Sequence, residues 1–204
     1  MRLIPGILAM TVIVVASNIL VQFLILDGLL TWGAFTYPFA FLVTDVMNRL
    51  YGPAAARRVV FAGFVAGIIC SLIGTQVMLE FGPAVTLRVA VASAAAFALA
   101  QMLDISVFNR LRRLSWWQAP LWASVAGSVV DTAVFFAVAF SAALSPLFPG
   151  WAVEQTAWAQ DMVGLLTVGP QMPMWVSLAL ADLGVKLAIA LIALVPFRLI
   201  IGHL

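Results

Sequence analysis

The last apolar stretch of the chain, Met174–Ile201, contains Asp182 and Lys186. Residues four apart share one face of a helix, so the two side chains can meet. At 1.5 Å per residue Lys186 lies about 18 Å from the start of the stretch, near the middle of a hydrocarbon core about 30 Å thick. A charge at that depth costs about 2.5–3.5 kcal/mol on insertion scales and marks a site or a helix-locking pair, the site being the first expectation. Asp131 sits at a matching depth, about 16 Å into the preceding stretch, with Ser128 and Thr132 beside it. A carboxylate there must be paired, protonated or ligand-bound. A structural pairing of Asp131 with Lys186 is the alternative to a ligand.

Other polar groups interrupt the apolar runs. Asn18 and Gln22 are four residues apart in the first stretch and offer amide donors and acceptors toward one side; interhelical hydrogen bonding is their plainer use. Tyr37, Phe39 and Phe41 supply planar faces around Pro38. Asp45, with Thr44 and Asn48, lies toward the cytoplasmic end of the second stretch, where Arg49 or Arg57 could simply pair with it. Gln101 and Asp104 end the fourth, where Arg110 could answer Asp104. Acceptors outnumber cations in this set. The chemistry suits a small planar, purine-like ligand presenting several N–H donors, and suits a fatty or purely anionic ligand poorly.

The elements that position these groups follow from composition. Of 204 residues, 65% are hydrophobic and 9% charged, with a formal net charge of +2. No soluble domain needs so much apolar surface, so the chain is a polytopic protein of the lipid bilayer. No basic run is interleaved with aromatics, which leaves nucleic-acid binding unsupported. The single cysteine, Cys70, excludes an internal disulfide, and with the single histidine, His203, it builds no metal site. No cofactor is expected. The apolar run after Arg2 is too long for a signal peptide and fits a span.

Six spans are expected near Ile4–Leu26, Trp32–Leu50, Val59–Leu79, Leu87–Phe108, Pro120–Ala143 and Met174–Ile201, in one all-α domain covering 1–204. Arg2, Arg49, Arg57, Arg58, Arg110, Arg112, Arg113 and Arg198 fall on one side, while Arg88, Asp27, Glu80, Glu154 and Asp161 fall on the other. The positive-inside bias puts both termini in the cytoplasm. Gly33, Thr36 and Pro38 predict a kinked or partly unwound second span, tolerated at that depth only beside protein or a cavity. The long loop 144–173 faces outward, with an interfacial helix over Glu154–Leu166 and Trp151 and Trp158 at headgroup depth; a lid over the site is the functional alternative. Gly63, Gly67, Ser71 and Gly74 allow close helix approach, for internal packing first and a homodimer seam second.

Several runs together carry a family resemblance: Thr31–Asp45, Ala56–Arg58, Gln101–Asp104 through Phe108–Arg112, Val130–Phe136, and Asp182 with Lys186. They resemble the queuosine-precursor transporter family, the proteobacterial branch of the vitamin uptake transporter group. The resemblance implies a fold like the membrane subunits of energy-coupling-factor importers. It implies uptake of 7-cyano- or 7-aminomethyl-7-deazaguanine across the bacterial inner membrane. The substrate-binding candidates are Asn18, Gln22, Tyr37, Phe39, Asp45, Gln101, Asp131, Asp182 and Lys186. A carboxylate would accept the guanine-like N–H groups, and Tyr37 or Phe39 would stack on the rings.

Two readings of transport compete. The chain could act alone, or as the substrate-binding subunit of an ATP-driven importer. Such subunits dock through an Ala-x-x-x-Ala patch, but here Ala9 and Ala16 are followed four residues on by Ile13 and Leu20, which favours a transporter acting alone. An intramembrane enzyme is disfavoured: there is no Ser/His or Cys/His pair, and neither Asp45 nor Asp131 lies in a Gly-x-Gly-Asp motif.

Overall fold

Helices carry most of the chain, as burial of backbone polar groups in lipid demands. The computed structural model describes residues 3–26, 28–80 and 82–202; Arg2, Asp27 and His203, which bear on the expected orientation and metal chemistry, lie outside the described residues. In chain order the helices are α1 (Ile4–Leu20), α2 (Gly33–Thr36), α3 (Phe39–Tyr51), α4 (Pro53–Gln76), α5 (Leu87–Leu111), α6 (Gln118–Phe140), α7 (Gly150–Glu154), α8 (Met174–Ile192) and α9 (Leu194–Gly202). Among the described residues, four helical stretches are long and apolar enough to cross a membrane: α4, α5, α6, and α8 with α9; α1 is apolar but shorter, at 17 residues. Their outer faces are apolar, with Phe61 65% and Leu72 62% exposed on α4, a band that suits lipid rather than water.

The first expected span is shorter than Ile4–Leu26. The helix ends at Leu20, and β1 (Leu24–Ile25) pairs antiparallel with β2 (Leu30–Thr31). The Asp27-Gly28 dipeptide is a hairpin signal, and Gly28 takes a φ of +88°, open to glycine at no steric cost. Gln22 therefore leaves the helix, and its expected alignment with Asn18 is not realised. A second short hairpin, β3 (Met78–Leu79) with β4 (Gly82–Pro83), joins α4 to α5.

The kink in the second span is present. Pro38 separates α2 from α3, and Ala40 N–H and Phe41 N–H bond to the carbonyls of Tyr37 and Pro38 in tightened turns. The backbone stays in the right-handed helical region at Tyr37 and Pro38, so the element is kinked and not unwound. α8 and α9 break at Ala193, where Pro196 can donate no bond to Ile192 four residues back.

Loop 144–173 differs from the expectation. No helix spans Glu154–Leu166. The segment runs through tight turns at Ala142–Leu147 and Ala157–Gln160, the short α7, and a hairpin of β5 (Met162–Gly164) and β6 (Gln171–Pro173). Gly164, Gly169, Pro170 and Pro173 break any longer helical run.

Close approach fixes the bundle. A Cβ on Gly63 would lie 2.5 Å from Met10 Cγ, so α4 meets α1 through this glycine; the small-residue stripe thus serves internal packing. The core beside it holds Met10, Val14, Met47, Val59, Val60, Phe97 and Ile105. On the other side, α6, α8 and the Ala157–Gln160 turn pack through Phe136, Phe140 and Ala159. A cavity is left between these two clusters.

Candidate functional site

Lys186 projects from α8 toward α6, because its helical face meets that of Asp131. Its Nζ lies 2.6 Å from Asp131 Oδ2, 2.5 Å from Asp182 Oδ2 and 3.2 Å from Thr132 Oγ1. An ammonium has three N–H donors, so all three are engaged. Thr132 Oγ1 donates to Asp182 Oδ2 at 2.9 Å. From the kinked α2–α3 unit, Tyr37 O–H donates to Asp131 Oδ1 at 3.0 Å. The Lys186 ammonium also lies 5.6 Å from the Tyr37 ring centroid, a favourable cation–π distance.

This cluster holds two carboxylates and one ammonium, a formal charge of −1. Both oxygens of Asp131 are occupied, one by Tyr37 and one by Lys186. Asp182 spends only Oδ2, its Oδ1 has no partner among the described residues, and its side chain is 15% exposed. The spare acceptor of the cluster therefore belongs to Asp182. The pairing of Asp131 with Lys186, read from sequence as an alternative to ligand contact, is present.

The cluster lies on the wall of a cavity of about 660 Å³, also lined by Ser17, Asn18, Phe97 and Trp158. Ligand pockets commonly run about 300–1,000 Å³ and are apolar with a few placed polar groups, which describes this one. Asn18 donates from Nδ2 to Val14 O of its own helix at 2.9 Å, which leaves one amide hydrogen and the carbonyl oxygen. Ser17 Oγ and Thr36 Oγ1 meet at 2.9 Å and fasten α1 to α2. That junction needs Gly33, where a Cβ would stand 3.0 Å from Ser17 O. Tyr37 meets Phe97 edge-on, with centroids 6.2 Å apart. The Leu29–Thr31 arm, Trp158 and Met174 line the cavity at one end.

Of the nine candidates, Asn18, Tyr37, Asp131, Asp182 and Lys186 line this cavity. Four do not. Gln22 is exposed beyond the end of α1 and donates to Ala84 O at 3.2 Å. Phe39 is two residues from Tyr37, about 200° away around a helix, and lies off the lining; Phe97 of α5 supplies the second aromatic face instead. Asp45 and Gln101 sit in a separate buried seam, since Asp45 is eight residues, about 12 Å, beyond Tyr37. Gln101 accepts from Thr44 Oγ1 at 2.6 Å, and Asp45 from Ser124 Oγ at 3.2 Å. The arginine pairings read from sequence as alternatives are not used. No ion pair joins Asp45 or Asp104 to an arginine among the described residues; Arg49 Nη1 donates instead to Arg112 O, and Arg112 Nη2 to Arg49 O.

Sequence reasoning missed Ser17, Phe97 and Trp158 as lining residues. Phe97 is the one aromatic residue in the alanine-rich run Ala92–Ala100, a signal that could have been used. Trp158, expected at headgroup depth, packs edge-on to Phe140 with centroids 5.6 Å apart at the cavity wall.

A family model described as "Putative vitamin uptake transporter" matches residues 31–201. The chain is 33% identical over 198 residues to the "Queuosine precursor transporter" of Escherichia coli, covering 90% of this chain and 79% of that one. The "Probable queuosine precursor transporter" of Haemophilus influenzae is 39% identical over 128 residues, 57% of this chain and 54% of that one. The protein of the same description from Bacillus subtilis is 35% identical over 129 residues, 54% of this chain and 56% of that one. No solved structure matches the chain.

Proposed function

This chain belongs to the queuosine-precursor transporter family of vitamin uptake transporters, and we propose that it carries 7-cyano- or 7-aminomethyl-7-deazaguanine through the cavity between α1, α5, α6 and α8. The observation that carries this reading is the Asp131–Lys186–Asp182 cluster on the wall of a largely apolar cavity with Tyr37 and Phe97 beside it. Charge set in an apolar surround is retained where a ligand uses it. The free oxygen of Asp182 accepts ring and exocyclic N–H groups of the base, which only a carboxylate in this cavity can do with charge assistance. Tyr37 and Phe97 bound the planar rings. The spare amide hydrogen of Asn18 answers the carbonyl of the base. Lys186, with all three donors engaged, holds the two carboxylates in place and does not itself reach the ligand.

The multi-pass chain lies in the bacterial inner membrane with six passes: α1, the kinked α2–α3 unit, α4, α5, α6 and α8–α9. Both termini face the cytoplasm, which follows from the arginine asymmetry. The cavity then opens outward, on the side of the 144–173 loop, as uptake requires. The test is uptake of labelled 7-deazaguanine base by liposomes holding only this protein. Exchange of external label against internal unlabelled base is the expected result. Uptake that appears only after an ATPase is added would defeat it.

A further inference from the structure

A second buried polar seam lies on the far side of Tyr37 from the cavity, and the candidate transport site does not use it. Asp45 is 2% exposed and Asp104 is fully buried. Thr44, next to Asp45, donates to Gln101 Oε1 at 2.6 Å, and Asn48 donates to the carbonyl of Ile105, next to Asp104, at 3.2 Å, so the two carboxyl groups are set in one α3–α5 seam. Neither has a cation within 4.0 Å among the described residues. Asp45 Oδ1 and both oxygens of Asp104 have no hydrogen-bond donor. Around them stand three more buried side chains with unpartnered atoms: Asn48 Oδ1, Gln101 Nε2 and Ser128 Oγ. Helical spacing turns these groups to one seam: Asn48 is three residues after Asp45, Gln101 three before Asp104, and Ser128 four after the Ser124 that donates to Asp45.

Two carboxylates buried in one dry seam cannot both hold a negative charge without a partner. The charged groups on the packed elements do not supply one. Arg49 of α3 is engaged with the backbone of Arg112, Arg57 and Arg58 of α4, Arg110 of α5 and Arg198 of α9 are exposed, and Asp131 of α6 is taken by Lys186 and Tyr37.

We propose that Asp45 and Asp104 form a proton-carrying site, separate from the substrate cavity, that couples uptake to a proton gradient. The pair takes one proton from water on the outer side and returns it to water on the cytoplasmic side. No other bond is made or broken. The route of coupling runs along the α2–α3 unit: Tyr37, two residues before α3, bonds Asp131 of α6, and Asp45, two turns on, bonds Ser124 of the same α6. A shift of α3 against α6 disturbs both sites at once. This inference rests on the proposed transport function.

Three measurements on the full chain separate the two. An infrared spectrum of the purified protein is expected to contain neutral-carboxyl C=O intensity that falls in the variant D45N/D104N. A spectrum without such intensity, or intensity unchanged in the variant, overturns the proposal whatever the protein transports. In liposomes, exchange of labelled 7-aminomethyl-7-deazaguanine without any gradient tests transport alone, and should survive in D45N/D104N. With an inward proton gradient, the unmodified protein should concentrate the label up to about tenfold per pH unit, and the variant should not concentrate it. Exchange with no response to the pH gradient, or accumulation that follows a sodium gradient instead, overturns the proton assignment and leaves the transport reading standing.

Discussion

Asp182 and Lys186 differ in what their removal leaves behind. The cluster of Asp131, Asp182 and Lys186 carries one more negative charge than positive. Asp182→Asn leaves the Asp131–Lys186 pair neutral, so stability should fall by no more than about 1 kcal/mol. Uptake should fall about 10- to 100-fold, because the free charged acceptor is gone. Lys186→Met leaves two carboxylates unpaired beside each other and should cost about 3–5 kcal/mol. Thermal melts in detergent and exchange assays on the same preparations check both. A stable Lys186→Met variant, or an Asp182→Asn variant that transports normally, would contradict this division of roles. Sequence placed these residues at one depth, and did so correctly, because rise per residue in a helix is fixed. It could not assign Asp131's second oxygen to Tyr37, since that bond spans 94 residues of chain.

At the scale of elements, one side chain pins the turn after α6. Arg88, 1% exposed in the first turn of α5, donates to Val138 O at 2.8 Å, Ser141 O at 2.5 Å and Ser145 Oγ at 3.1 Å. Its guanidinium also lies 5.3 Å from the Phe148 centroid. It thus satisfies the orphan carbonyls at the C-terminus of α6, where a cation is favoured. Arg88→Met should free the 141–148 turn at a cost of about 3 kcal/mol. Hydrogen exchange at the amides of Leu144 and Phe148 is the readout, and unchanged protection would remove Arg88 from this role. A second element-level test concerns the α1–α4 contact. Gly63→Val places atoms against Met10 and Phe97 and should lower stability by about 1–3 kcal/mol. A melting temperature equal to that of the unmodified chain would show the helices free to separate. The sequence predicted the Pro38 kink because a missing N–H is a local fact. It missed the end of α1 at Leu20, because the Asp27-Gly28 turn was overridden by a continuous apolar run that reads as helix.

For the whole molecule, the arginines gather at one end through contacts that sequence could not supply. Arg49 and Arg112 exchange bonds with each other's backbone, and Arg198 lies 5.2 Å from the Trp116 ring. The turns after α3 and α5 and the start of α6 therefore share an end with α9, and Arg88 lies at the other. The topology is checked by placing a cysteine at Ser115 after Cys70→Ser. A membrane-impermeant thiol reagent should reach it only from the cytoplasmic side. Labelling from outside intact cells would reverse the proposed orientation.

What the sequence determined by itself was everything fixed by one helix at a time: the apolar stretches, the matched level of Asp131 and Lys186, the shared face of Asp182 and Lys186, and the kink at Pro38. Periodicity and rise are local properties, so a single chain segment carries them. What only the tertiary structure decided was which faces meet. Nine polar and aromatic residues looked like one site from sequence. Packing sent five to the cavity, moved Asp45 and Gln101 into a second seam against Asp104, and left Gln22 and Phe39 outside both. The rotation and contacts of each helix are set by its neighbours, through approaches such as Gly63 against Met10 and Gly33 against Ser17, and no spacing within one helix encodes them.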